Sequence, residues 1–106
     1  MFARIVTMRL KQDTGAEFTQ TIEKRILPIL RKQKGFRDVL AFVAPGGTEA
    51  IGISFWDQKE QAETYNGSAY SEVLKELAKV VDGTPRVQTF EVSNSTAHQI
   101  AARPAA

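Results

Sequence analysis

Phe36-Arg37-Asp38-Val39-Leu40-Ala41-Phe42-Val43-Ala44, then Pro45-Gly46-Gly47-Thr48, then the run from Ala50 to Trp56, is the stretch on which the fold turns. Two strand-forming runs enclose four residues of turn chemistry, so the stretch reads as a β-hairpin. Working outward, each strand of the hairpin is joined to a helical pattern. Upstream, Phe18, Ile22, Ile26, Ile29 and Leu30 fall on one stripe at helical spacing. Thr14 with Glu17 has the form of a capping box for its start. Arg31, Lys32 and Lys34 complement the negative end of the helix dipole, Gly35 is the left-handed terminator, and Phe36 folds back on the last turn. Pro28 cannot donate to the carbonyl of Lys24, which predicts a bend around Lys24–Pro28.

Downstream, Asp57 followed by Glu60 predicts the cap of a second helix whose buried side carries Ala62 and Tyr65. Asn66-Gly67-Ser68 interrupts it, and Tyr70, Val73, Leu74, Leu77 and Val81 resume the stripe. Asp82-Gly83-Thr84-Pro85 is expected to end that helix. Outermost are two further strands, Phe2–Leu10 and Arg86–Val92. The order is therefore β-α-β-β-α-β, an α+β, ferredoxin-like fold with a four-stranded antiparallel sheet. Right-handed crossovers put both helical segments on one face and leave the other bare. Phe2–Leu10 carries apolar residues at both parities (Ile5, Val6, Met8 and Leu10), as a strand covered on both faces would. The domain spans residues 1–93. Residues 94–106 form a small, polar extension whose end is expected to be disordered.

With 106 residues, 42% hydrophobic and 25% charged, the chain has room for one core. A net charge of +2, from 14 basic and 12 acidic residues, argues against a nucleic-acid binder. The cluster Lys24, Arg25, Arg31, Lys32 and Lys34 is explained by the dipole and by solvation. Cysteine is absent, which removes disulfides, thiolate metal sites and Cys nucleophiles and fits a reducing compartment. No apolar run approaches the ~20 residues of a membrane span. The N-terminus reads as strand rather than as a signal peptide, so a cytoplasmic location is expected.

Three local features resemble the antibiotic biosynthesis monooxygenase family. They are the Lys34-Gly35-Phe36 junction, the strand end Ile53-Ser54-Phe55-Trp56-Asp57, and the broken helix Glu60–Val81 with Asn66-Gly67-Ser68-Ala69-Tyr70 at its middle. The resemblance covers residues 1–93. It implies a homodimer whose two sheets pack face to face, a dimeric α+β barrel, with a small apolar pocket between each sheet and its own helices. Heme-degrading members resemble this layout but carry an Asn in the first strand and a His in the second helical segment. Neither is present here, and Lys75 lies near where that ligand would fall. The only histidine, His98, is in the extension, with no carboxylate close in sequence to orient it.

Oxygenation without a cofactor needs an electron-rich substrate anion, a dry pocket and a group that stabilises negative charge. The residue types that supply this are Trp56, Tyr65, Tyr70, Phe42 and Arg86, taken together as a substrate-binding set. Each has a plainer reading. Trp56 closes a sheet edge or a dimer contact, the tyrosines are amphipathic packing residues, and Arg86 is a solvated edge charge. No metal, flavin or nicotinamide motif is present, so no cofactor is expected. Asp13, Asp38 and Asp57 show no pairing in the sequence, and Gly46-Gly47 lacks the context of a phosphate loop. Two functions fit: a cofactor-independent monooxygenase for a small aromatic or quinol-like compound, and a non-catalytic ligand-binding or stress-associated dimer. No base beside the aromatics can be read from the sequence to separate them.

Overall fold

The computed structural model describes residues 1–100. Strands β1 (Phe2–Leu10), β2 (Phe36–Val43), β3 (Glu49–Trp56) and β4 (Val81–Glu91) form one sheet in the order β2-β3-β1-β4. Every neighbouring pair is antiparallel. The helices lie on one side: α1 (Gly15–Thr21), a π-helical segment (Ile22–Ile26) and α2 (Leu27–Arg31) between β1 and β2, then α3 (Lys59–Asn66) and α4 (Tyr70–Leu77) between β3 and β4. This is the ferredoxin-like α+β arrangement expected from the sequence.

The break expected near Pro28 is a change of helix type. Pro28 stands at the start of α2, just after a π turn in which the backbone N–H of Leu27 bonds to Ile22 O. The wider turn absorbs the donor that proline lacks, and Ile26 and Leu30 both stay buried. Gly35 ends the segment at φ +82°, where a Cβ would collide with the Gln61 side chain.

Both caps differ from expectation. The Thr14 hydroxyl donates to the carbonyls of Lys11 (2.6 Å) and Val80 (3.3 Å), not to the helix it precedes. The α3 cap is Gln58, whose backbone N–H bonds to Gln61 Oε1 at 3.1 Å. The Asp57 carboxylate is drawn instead to Arg37, with which it forms an ion pair. Asp82-Gly83-Thr84-Pro85 does not end a helix, because α4 stops at Leu77 and these residues belong to β4. They bulge between the pairs Arg9↔Asp82 and Thr7↔Arg86. An edge strand with a bulge tolerates Pro85, since the ladder is already interrupted there.

The register divides the sheet into two unlike faces. Phe2, Arg4, Val6, Met8 and Leu10 of β1 share the helix side with Ser54 and Trp56 of β3. Packed against α1–α4, nearly all of them are buried. The other side carries Leu40, Phe42, Ile51 and Phe90, each between 38% and 50% exposed. Residues after β4 turn back over this side. His98 Nε2 lies 3.1 Å from Asp38 Oδ2, and its ring stands 5.8 Å from that of Phe55. The partner absent from His98's sequence neighbourhood is therefore supplied by β2. The expectation about the end of the extension concerns residues 101–106, which lie outside the described residues.

Candidate functional site

Arg4 sits in the first half of β1, on the parity that faces the helices, opposite Ser54 on one side and Thr89 on the other. It is only 2% exposed. Its guanidinium lies 4.0 Å from the centre of the Tyr70 ring and 5.1 Å from that of Tyr65, and donates to Asn66 Oδ1 at 2.6 Å. Among the described residues no carboxylate is within ion-pair distance of it. The charge is held by two π faces and one neutral amide, contacts worth about 2 kcal/mol or more when water is excluded.

The helix break makes this grouping. Tyr65 and Asn66 end α3, Tyr70 begins α4, and the turn between them brings both rings over the same strand. The rings of Tyr65 and Tyr70 are 5.8 Å apart, and Trp56 stands 5.0 Å behind Tyr65. Trp56 is fully buried, with its Nε1 donating to Ser54 Oγ at 2.9 Å. Burial pushes the Tyr65 hydroxyl well above its ordinary range, against a smaller opposing pull from Arg4. At neutral pH Tyr65 is consequently a neutral donor, not a base. The Tyr70 hydroxyl is buried with no hydrogen-bond partner among the described residues.

Two cavities meet at Arg4. The inner one, about 50 Å³, lies between sheet and helices and is lined by Arg4, Val6, Ile26, Ser54, Tyr65 and Tyr70 among others. The outer one is a cleft of about 280 Å³ bounded by Phe2, Arg4, Lys59, Ala62, Glu63, Asn66, Val87 and Thr89. It lies beside Val87 and Thr89, helix-side residues of β4 that remain exposed. Among the described residues no carboxylate or histidine lines the inner cavity. At the outer rim Glu63 faces Lys59 at 3.7 Å.

The five residues singled out in the sequence thus divide. Trp56, Tyr65 and Tyr70 come together on the helix side. Phe42 and Arg86 do not join them: Phe42 pairs with Ile51 and Arg86 with Thr7, on the opposite face. The physical reason is strand parity, which sends alternate residues to opposite sides of the sheet. The cation at the aromatic cluster is Arg4. Its signal in the sequence was a charge between Phe2 and Val6 on the otherwise apolar parity Phe2, Val6, Met8, Leu10. Asn66 carried no signal beyond its place in the helix break.

No family model matches the chain, and no curated protein does. Solved structures match over nearly its whole length. A putative antibiotic biosynthesis monooxygenase from Bordetella bronchiseptica superposes with a TM-score of 0.74 at 11% identity, covering 88% of this chain and 97% of its own. SnoaB, a cofactor-independent oxygenase from Streptomyces nogalater, gives 0.73 at 12% identity, over 92% and 97% of the two chains. The monooxygenase ActVA-Orf6 of Streptomyces coelicolor, solved with nanaomycin D, gives 0.72 at 15% identity, over 89% and 88%. The chain has the fold of the antibiotic biosynthesis monooxygenases.

Proposed function

We propose that this protein is a monooxygenase that acts on a small aromatic, quinol-like compound without a bound cofactor. The observation that carries the reading is the buried Arg4 between Tyr65 and Tyr70, with no carboxylate partner among the described residues, where two cavities share it. The fold shared with named monooxygenases supports it. In such a reaction one oxygen atom enters the substrate and the other leaves as water, with all four electrons coming from the substrate. The protein's part is to hold the substrate anion away from water and stabilise its charge. Arg4 takes the role that the sequence had suggested for Arg86. The inner cavity is smaller than the roughly 150 Å³ that encloses a benzene ring, so the ring lies in the outer cleft and only its reacting edge reaches inward.

With no carboxylate or histidine in the inner lining among the described residues, a second reading is a non-catalytic binding or stress-associated protein using the same space. In either case the exposed face of Leu40, Phe42, Ile51 and Phe90 is covered in a homodimer, sheet against sheet. A cytoplasmic location accords with the lack, among the described residues, of any helix long and apolar enough to cross a membrane.

Oxygen uptake with a panel of quinols tests the reading. Turnover above the spontaneous rate is expected, and Arg4→Met should lower the saturated rate about a hundredfold, the usual cost of one oxyanion-stabilising donor. Uptake at background across the panel would leave the binding reading in its place.

A further inference from the structure

We infer that Asn66-Gly67, at the end of α3, is a site of self-modification: the Gly67 nitrogen closes on the Asn66 side chain, ammonia leaves, and the carboxylate that results pairs with Arg4. Neither turnover nor a bound ligand enters into it, so it stands apart from the proposed function.

Three observations meet at this dipeptide. Gly67 has no conformational reason to be glycine. Its φ is −86°, and an added Cβ would make only ordinary contacts, the nearest at 3.6 Å with the carbonyl oxygen of Glu63. What the missing side chain leaves is an unscreened main-chain nitrogen next to an asparagine, with both residues exposed to solvent base. Arg4 donates to Asn66 Oδ1 at 2.6 Å, which polarises Cγ and stabilises the negative charge that gathers on that oxygen during attack. Arg4 is also 2% exposed and has no carboxylate partner among the described residues. A carboxylate at position 66 supplies the counter-charge that a buried guanidinium ordinarily has. One contact opposes the step: Gly67 N–H donates to Glu63 O at 3.0 Å, so the last turn of α3 must open first. Helix ends are the parts of a fold that open most readily.

The chemistry needs only water. Gly67 N gives its proton to solvent base and bonds to Asn66 Cγ, the Cγ–Nδ2 bond breaks, and Nδ2 leaves as ammonia after taking up a proton. Water then adds to the cyclic imide. Addition at Cγ, the carbon that Arg4 polarises, breaks the new Cγ–N bond and restores the main chain with an aspartate side chain. No electron is transferred, and one amide plus one water become one carboxylate plus one ammonia. The carboxylate stands at the C-terminal end of α3, where the helix dipole disfavours it, but a hydrogen bond between two charged groups outweighs that effect.

The full chain, held folded in mildly alkaline buffer and sampled over days, is read by intact mass and peptide mapping. Conversion at Asn66 is expected, seen as a gain of one mass unit. It should outpace conversion at Asn94, the chain's other asparagine, which precedes Ser95. Gly67→Ala, which the fold accommodates, should slow it severalfold, because the added methyl group shields the nitrogen. Asn66→Asp installs the product directly and should raise Tm by about 5 °C at neutral pH. A carboxylate beside Arg4 titrates below its unfolded value, so the gain should be present above about pH 4 and lost as pH falls through the folded value. Conversion at Asn66 no faster than at Asn94, or indifferent to Gly67→Ala, would overturn the inference. So would an Asn66→Asp variant no more stable than the parent at neutral pH.

Discussion

The Arg4 guanidinium and the Tyr70 ring face one another at 4.0 Å, a cation on the first strand held by an aromatic face at the start of the last helix. The contact joins residues 66 positions apart and places a charge where the neighbouring β1 residues are apolar. Lysine cannot reproduce it, because an ammonium has no plane to stack and is more strongly hydrated. Arg4→Lys is therefore expected to lower unfolding free energy by about 2 kcal/mol in urea titrations, although charge is conserved.

Tyr70 presents the opposite case. Its hydroxyl is buried without a partner among the described residues, so its desolvation is uncompensated, while its ring holds Arg4. Tyr70→Phe keeps the ring and removes the orphan group. Stability should be unchanged or rise by about 1 kcal/mol in the ligand-free protein, with an unaltered denaturant slope.

Tyr65 gives the protein an alkaline limit. Its folded pKa is raised by burial, so the folded state holds this proton more tightly than the unfolded chain does. The corresponding stability is fully present below the unfolded value of about 10 and is lost as pH rises from there through the folded value. Thermal unfolding measured from pH 8 upward should show stability falling above about pH 10, and Tyr65→Phe should flatten that fall.

Leu40, Phe42, Ile51 and Phe90 predict a dimer in solution. Light scattering on size exclusion at micromolar concentration should give twice the chain mass. Phe42→Glu, which puts a charge on that face, should shift the protein to monomer without unfolding it, since Phe42 is already 49% exposed in the single chain.

Heme should not bind tightly. The α4 helix has no histidine, Lys75 is exposed, and His98 lies on the other side of the sheet beside Asp38. Heme titration at micromolar protein is expected to leave the Soret band of free heme unshifted. A shift lost on substitution of an α4 residue would contradict this.

The sequence by itself determined the order and kind of the elements, because these follow from local properties. Hydrophobic spacing marked the helices, the Pro45-Gly46-Gly47 turn marked the hairpin, and Gly35 marked a helix end that needed positive φ. Pro28 announced a break, though not that the break would be a π turn, which depends on keeping Ile26 and Leu30 both in the core. Tertiary structure decided whatever depended on two distant residues meeting. It gave Asp57 to Arg37 instead of to a helix cap, and it gave His98 the carboxylate of Asp38. It also placed Phe42 and Arg86 across the sheet from the tyrosines, through a register that no single strand reveals. Above all it turned Arg4, one of many basic residues in the sequence, into a buried cation. Burial and charge pairing are properties of packed neighbours, and Tyr65, Asn66 and Tyr70 reach Arg4 only when the broken helix lies down on β1.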